Sequence, residues 1–268
     1  NAVRKLDNRY IHYEGSTRDK AEGTDIHSVM YPAMDAWRSG TTGPVTEDVN
    51  HPNTNKPYFM CEYAHAMGNA VGNLREYWEA MEGSQMGVGG CIWDWVDQSI
   101  YSYDAIKNNK LTENGFPAYI TGYDCPGPHQ YNFVNNGLVN ADRAWSAELD
   151  EVKRVYQWVG FDLNTEKHQV KLTNKYLDRN LNQFYLKWTL LADGKPVQNG
   201  TFKDLNCAAG GTQTVDLKYN PSKYANKELF LNIGLYTKEA TDWCDRDYPV
   251  AQFQQQLAAG TTTLAEVD

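Results

Sequence analysis

A single carboxylate, Glu62, ends a short apolar stretch and is followed within seven residues by a Tyr, a His and an Asn. Thirty-one residues after Glu62 (93 − 62), a second apolar stretch ends in Trp93-Asp94-Trp95-Val96-Asp97-Gln98. An acid beside aromatic residues at successive strand ends suits the cleavage of a sugar. The carboxylate forms or stabilises a glycosyl intermediate, and aromatic rings stack on the apolar face of the sugar. The spacing therefore predicts a carbohydrate-cleaving site.

The elements that would position these residues alternate between strands and helices over residues 1–160. We predict strands at residues 9–15, 25–31, 57–62 and 88–94. Between the third and fourth strands, four apolar residues at helical spacing predict a helix with Asn73 as N-cap and Gly83 as stop: Leu74, Tyr77, Trp78 and Met81. A second helix is predicted at about residues 146–157. Strand–helix–strand spacing indicates parallel strands joined by crossovers.

From about Phe161 the hydrophobic pattern alternates with period two, which is typical of half-buried strands. Asp193-Gly194 is a hairpin signal. Six or seven short strands over about 100 residues favour an immunoglobulin-like β-sandwich. The predicted domains are therefore an α/β domain at 1–160 and an all-β domain at 161–268.

Composition excludes some classes of protein and leaves others open. The net charge is −9, which argues against nucleic acid or an anionic membrane as the main partner. No apolar run approaches the ~18 residues that span a bilayer. The five cysteines lack any CxxC pair, so neither a metal site nor a disulfide framework is expected. The chain starts at Asn1 rather than Met, and we interpret it as a piece of a longer protein whose compartment is not determined.

Three motifs resemble bacterial β-galactosidases of glycoside hydrolase family 2. They are Cys-Glu-Tyr-Ala-His-Ala-Met-Gly-Asn at residues 61–69, Gly-Gly-Cys-Ile-Trp-Asp-Trp-Val-Asp-Gln at 89–98 and Asn-Gly-Leu-Val-Asn-Ala-Asp-Arg at 136–143. The resemblance implies the C-terminal half of a (β/α)₈ TIM barrel, with its last four strands, followed by an Ig-like domain. The family's acid/base glutamate and its Mg²⁺ ligands would then lie in the parent protein, outside this chain.

The resemblance also implies roles for individual residues. Glu62 resembles the catalytic nucleophile, with its partner carboxylate about 5–5.5 Å away as retention requires. His65 resembles a sugar-hydroxyl ligand and transition-state stabiliser, and Tyr31 a strand-end tyrosine that contacts the nucleophile. Trp93 resembles the aromatic wall beneath the sugar. From the residues alone, Glu62 could equally be a strand-end Glu in a structural hydrogen bond.

Further residues are implied in binding a metal ion or the substrate. Phe133, through its main-chain carbonyl, and Asn136, through its side chain, match a family sodium site that is only partial here; Asn136 is also predicted to bind substrate. The loop at 121–131 departs from the family pattern and contains His129, which we predict to reach the substrate. Asp94, Asp97 and Gln98 are expected to support the site through hydrogen bonds.

The resulting hypothesis is a retaining exo-β-galactosidase that acts on β-galactoside oligosaccharides. The parent is expected to be a homo-oligomer, and this chain alone is expected to be inactive because it lacks the acid/base. One alternative is a family 2 hydrolase of another β-glycoside. Another is a non-catalytic carbohydrate-binding or assembly module, in which changing Glu62 would leave function intact.

Overall fold

The computed structural model describes residues 2–14, 23–34, 56–101, 104, 107–108 and 119–261. The chain divides into two compact units, Asn1–Val155 and Tyr156–Asp268. Within the described part of the chain, no helix is long and apolar enough to cross a bilayer.

The first unit contains a parallel sheet of three strands in the order β1-β2-β3. The strands are β1 (His27–Met30), β2 (Tyr58–Tyr63) and β3 (Gly87–Ile92). Helix α1 (Leu74–Gly83) is the crossover between β2 and β3, as the strand–helix–strand spacing predicted. The core lies along β1 and β2, where the buried side chains are Val29, Tyr58, Met60 and Tyr63. Because parallel strands share a direction, the three carboxyl ends meet at one edge of this sheet.

Helix α1 buries Leu74 and Met81, two of the four predicted apolar positions. The half-buried Tyr77 donates its hydroxyl hydrogen to the Pro32 carbonyl at 2.6 Å, which ties the helix to the segment after β1. Asn73 occupies the predicted N-cap position, although its side chain makes no capping hydrogen bond. The residue is left-handed, at φ 59°, and its main-chain carbonyl accepts from Tyr77.

The predicted strand at 9–15 is absent over residues 9–14, and Gly15 lies outside the described residues. The Ile11 N–H donates to the Asp25 carboxylate at 2.8 Å, and the Asp25 N–H donates to the Ile11 carbonyl at 2.9 Å. The Asp25 carboxylate thus accepts the Ile11 N–H, which a neighbouring strand would have bonded in a β-sheet. The hydrogen bonding between these two residues therefore does not extend into a strand.

After β3 the first unit continues with short elements. A two-stranded antiparallel pair joins β4 (Ile100–Tyr101) to β5 (Tyr119–Ile120). A 3₁₀ turn at Gly122–Asp124 follows, and helix α2 (Ala147–Val155) ends the unit. The Ser146 hydroxyl accepts from the Leu149 N–H at 3.2 Å, which caps the start of α2.

The second unit consists of two antiparallel sheets around one hydrophobic core. One sheet has the order β10-β7-β6 and the other β12-β11-β8-β9. The strands are β6 (Val159–Asn164), β7 (Gln169–Asn174), β8 (Phe184–Ala192), β9 (Lys195–Phe202), β10 (Thr212–Asp216), β11 (Glu228–Thr237) and β12 (Pro249–Ala259). Asp193 and Gly194, at φ 48° and 74°, form the predicted hairpin between β8 and β9.

Candidate active site

Glu62 and Tyr31 meet where β1 and β2 end. Met30 pairs with Glu62 in the sheet, and the Tyr31 N–H donates to the Glu62 carbonyl at 2.7 Å. The residue directly after each strand, Tyr31 after β1 and Ala64 after β2, has a left-handed backbone with φ 47°. Bulky residues rarely adopt this conformation, and such outliers gather at functional sites. The backbone therefore turns sharply where β1 ends and where β2 ends, close to Glu62.

The Tyr31 hydroxyl is hydrogen-bonded to the Glu62 carboxylate. Burial of the phenol, together with this bond and the negative charge of Glu62, raises the pKa of Tyr31 well above its usual range. Tyr31 therefore stays protonated at neutral pH and acts as a donor to the carboxylate. The structure thus brings together the predicted nucleophile and the tyrosine predicted to contact it.

His65 presents one ring nitrogen that no described protein group satisfies. Its Nδ1 accepts a hydrogen bond from the Met67 N–H at 3.2 Å, so in the neutral ring Nε2 carries the proton. Nε2 is buried and lacks a hydrogen-bond partner among the described residues. The ring centre lies 5.9 Å from that of Tyr31 and 5.4 Å from that of Phe133. His65 is therefore a donor held in place and available to a hydroxyl group of a ligand.

Trp93 follows β3 directly and is tied to the loop that carries His65. Its N–H donates to the Tyr63 carbonyl at 3.2 Å, and its carbonyl accepts from the Ala66 N–H at 2.6 Å. The side chain is half-buried, and the Trp93–Asp94 peptide bond is cis. These two bonds link the ends of β2 and β3, so Trp93 lies at the same sheet edge as Glu62.

The polar residues after Trp93 hold the backbone of this edge. The Asp94 carboxylate accepts from the Trp95 N–H at 2.6 Å and from Gln98 Nε2 at 2.9 Å. Asp97 accepts from the Gly137 N–H at 2.8 Å, and burial raises the pKa of its carboxyl. Gly137 packs so closely that an added Cβ would lie 2.1 Å from the Asp97 nitrogen.

Asn136 is brought to this edge by the same segment. Its carbonyl accepts from the Asp94 N–H at 2.7 Å, and the residue is 0% exposed. Its side-chain Oδ1 and Nδ2 are both buried without a partner in the described structure. A buried amide with no protein partner is costly unless a ligand satisfies it. Asn136 thus combines a hard oxygen suited to a cation with a donor suited to a sugar hydroxyl.

The predicted sodium ligands lie three residues apart. Phe133 is 46% exposed, and its ring lies against His65. Among the residues that the structure describes, no three His, Cys, Asp or Glu side chains group as they would around a metal ion. The Mg²⁺ that the resemblance implies therefore remains an expectation about residues elsewhere in the parent.

The structure does not connect His129 to Glu62 or His65 by any contact in the described region. The rings that it contacts are Tyr123, at 5.9 Å, and Tyr131, at 4.9 Å, in its own loop. The sequence shows that this loop departs from the family pattern, but it led to no prediction of a role for the two tyrosines. Three aromatic residues within nine positions of a loop rich in Gly and Pro were the signal that could have identified them.

Two family models match the chain. The TIM barrel domain of glycosyl hydrolases family 2 matches residues 1–161, and domain 4 of β-galactosidase matches residues 170–258. The first match covers more than half of the chain, and the chain therefore belongs to glycosyl hydrolases family 2. The predicted fold class is confirmed: a TIM barrel domain is followed by a β-rich domain.

Two solved structures match the chain at low sequence identity and low TM-score. An exo-chitosanase of Amycolatopsis orientalis, in complex with a β-D-glucosamine derivative, is 12% identical over 69% of this chain and 18% of its own, with a TM-score of 0.32. An FMN-binding β-glucuronidase from Facaelibacterium prausnitzii is 15% identical over 87% of this chain and 32% of its own, with a TM-score of 0.28. The chain thus spans between about a fifth and a third of the length of these proteins.

Proposed function

We propose that this chain supplies the nucleophile half of a retaining β-galactosidase, with Glu62 as the nucleophile. The observation that carries the proposal is the Tyr31–Glu62 hydrogen bond at the ends of two adjacent parallel strands. The ring of Tyr31 also lies 5.9 Å from the ring of His65, whose buried Nε2–H has no partner among the described residues.

The chemistry is a double displacement. A Glu62 oxygen bonds to the anomeric carbon as the glycosidic C–O bond breaks, and a second carboxylic acid gives its proton to the departing oxygen. That residue, now a carboxylate, takes a proton from the water that cleaves the glycosyl ester and releases Glu62. The second carboxylate comes from the remainder of the parent enzyme, so we expect this chain alone to be inactive.

The neighbouring side chains have roles in binding the sugar and orienting the nucleophile. Tyr31 orients the Glu62 carboxylate, and His65 Nε2–H donates to a sugar hydroxyl. The half-buried Trp93 supplies the apolar wall on which the ring of the sugar stacks. Stacking together with a directed hydrogen bond fixes the sugar while Glu62 attacks its anomeric carbon.

Na⁺ fits the donor set of the segment at 133–136. The buried Asn136 Oδ1, which has no partner in the described structure, and the main-chain carbonyl of Phe133 would hold it as hard oxygen ligands. When bound, the ion would take the lone pair of the buried amide oxygen and offer a coordination position to a sugar hydroxyl. Asn136 Nδ2 would remain a donor for the substrate.

The β-galactosyl specificity is supported by the match of the second unit to domain 4 of β-galactosidase and by the motif at 61–69. A test is to treat the complete parent enzyme with 2-deoxy-2-fluoro-β-galactosyl fluoride and to map the adduct by peptide mass spectrometry. We expect the adduct on Glu62, and none on the Glu62→Gln variant.

The other outcomes separate the alternatives. If no adduct forms in an enzyme that hydrolyses another β-glycoside, the galactosyl specificity is wrong and the family chemistry stands. If no adduct forms and no glycoside is hydrolysed, the chain belongs to a carbohydrate-binding or assembly protein.

A further inference from the structure

Three aromatic rings form an exposed cluster in the loop at 121–131. The ring centres of Tyr123 and Tyr131 are 5.3 Å apart, and His129 lies 5.9 Å from Tyr123 and 4.9 Å from Tyr131. Tyr123 is 65% exposed and Tyr131 58% exposed. Large apolar side chains that gather at the surface mark a binding site more often than scattered ones do.

The backbone holds this cluster in a fixed arrangement. The Gly122 N–H donates to the Tyr131 carbonyl at 2.8 Å, and the Thr121 N–H donates to the Asp124 carboxylate at 2.8 Å. A Cβ on Gly122 would lie 2.5 Å from the Tyr131 carbonyl oxygen, so this close approach requires glycine. A surface that is ordered before binding loses little conformational entropy when it takes a ligand.

The C-terminal end of the loop is anchored near the carboxyl end of β3, where the Gln98 N–H donates to the Val134 carbonyl at 2.7 Å. The first end follows β5, which pairs with β4. The C-terminal end of the loop leads within two residues to Phe133, whose ring lies 5.4 Å from His65. The loop that carries the cluster is therefore joined along the chain to Phe133, which contacts His65 of the candidate active site.

We infer that Tyr123, His129 and Tyr131 form the binding surface for the sugar on the leaving-group side of the scissile bond. The inference rests on the proposed function and adds a substrate class to it, namely β-linked disaccharides and longer oligosaccharides rather than glycosides of small alcohols. The two phenol rings stack on the C–H face of a pyranose. His129 Nδ1 accepts from the Tyr131 N–H at 3.1 Å, which leaves Nε2–H as a donor to a hydroxyl of that sugar.

The test compares two substrates of the complete parent enzyme that share the glycosyl group and differ in the leaving group. One is the β-glycosyl fluoride, whose leaving group has no ring to stack. The other is the corresponding β-linked disaccharide with glucose. The variants are Tyr123→Ala and Tyr131→Asn, since Asn tolerates the left-handed φ of 56° at residue 131. Trp243→Ala, in the second unit and 63% exposed, is the matched control.

We expect kcat/KM on the disaccharide to fall roughly tenfold relative to kcat/KM on the fluoride in either tyrosine variant, as for the loss of one stacking face. Transfer of the glycosyl group to added glucose should fall in the same proportion. The ratio for Trp243→Ala should equal that of the wild type.

The inference is overturned if both tyrosine variants keep the wild-type ratio of the two kcat/KM values. It is also overturned if the rates on both substrates fall equally, because the loop would then be structural. Both substrates carry the glycosyl group that the wild-type enzyme cleaves fastest among galactosyl, glucuronosyl and glucosaminyl. If that group is not galactosyl, the wild-type rates alone contradict the proposed galactosyl specificity, and the test of the loop is still valid. An enzyme that cleaves none of them contradicts both proposals.

Discussion

At the scale of single residues, the site depends on which polar atoms are satisfied and which are not. Tyr31 and Glu62 satisfy one another, whereas His65 Nε2 and the Asn136 amide have no partner among the described residues. Buried polar groups in folded proteins are almost always hydrogen-bonded, so unsatisfied ones in one place indicate where a ligand completes the structure. The sequence named all four residues, but it gave no information on which atoms are satisfied.

Removal of the Tyr31 hydroxyl should impair catalysis. A hydrogen bond to a charged group contributes about 1.5–3 kcal/mol, so Tyr31→Phe should lower kcat/KM of the parent enzyme by about 10- to 100-fold. Tyr224→Phe is the control, since it removes a hydroxyl that donates to the Val197 carbonyl in the second unit. Equal rates in Tyr31→Phe and wild type would show that the phenol does not act on Glu62.

The raised pKa of Tyr31 sets the pH range of this effect. The phenol donates only while it is protonated, and a raised pKa keeps it protonated above the ordinary value of about 10. The ratio of wild-type to Tyr31→Phe rates should therefore be constant from neutral pH to about pH 10. It should fall only as the pH rises through the raised value. A ratio that changes near neutral pH would contradict this prediction.

The raised pKa of Asp97 predicts how the free energy of unfolding depends on pH. Burial raises the pKa of this carboxyl, although it accepts the Gly137 N–H, so the ionised form is unfavourable in the folded state. That cost is absent below the ordinary Asp pKa of about 3.9 and present in full above the raised value. Asp97→Asn retains an acceptor oxygen, so it should be at least as stable as wild type at neutral pH. Its advantage should shrink on acidification, as measured by urea unfolding at several pH values.

At the scale of elements, the site is built by the close approach of the segment at 133–139 to the turn after β3. The Gly137 and Asp94 N–H groups are satisfied across this contact, and the Gln98 N–H donates to the Val134 carbonyl at 2.7 Å. The bridge between Val96 and Val139 continues it. The sequence motifs at 89–98 and 136–143 did not show that these segments pair, because their pairing depends on main-chain bonds across about 40 residues.

Gly137→Ala should disrupt this contact. The added Cβ would lie 2.1 Å from the Asp97 nitrogen and 2.3 Å from the Val96 carbonyl carbon, and both are backbone atoms that cannot rotate away. We expect a loss of about 1–3 kcal/mol or more in the free energy of unfolding, with loss of activity in the parent. Gly83→Ala, which has open space for a Cβ at the end of α1, should be neutral or slightly stabilising. Equal stability of the two variants would disprove the close contact.

At the scale of the whole molecule, the two units differ in what covers their sheets. The second unit has a single core to which both of its sheets contribute. In the first unit, Val88 on β3 is 57% exposed, whereas parallel strands are normally covered on both faces. We expect the remainder of the parent's barrel to cover this face of β3. The homo-oligomeric state of the parent stays a prediction, which light scattering of the purified protein would check.

The core of the second unit should respond strongly to a cavity. Leu231 is fully buried, so Leu231→Ala should destabilise this unit by about 2–5 kcal/mol. Leu177→Ala, the same change at a residue 88% exposed, should have an effect within about 0.5 kcal/mol. Hydrogen exchange of peptides from β7, β8 and β11 would measure both. Comparable exchange rates in the two variants would mean that packing around Leu231 does not stabilise the second unit.

The sequence by itself determined the type and approximate position of most elements, since strand alternation and helical spacing are local patterns. Its motifs also predicted that Glu62, His65 and Trp93 belong to one site. The predicted strand at 9–15 was wrong because the Asp25 side chain competes for a backbone donor, a contact that no local pattern encodes.

Only the tertiary structure decided that Tyr31 donates to Glu62, that Asn136 is fully buried and that Tyr123, His129 and Tyr131 cluster. The first fact depends on the distance between residues far apart in the chain, the second on the exposure of single atoms, and the third on the path of one loop. Those quantities are set by packing and backbone direction, which a sequence pattern of one strand or helix does not specify.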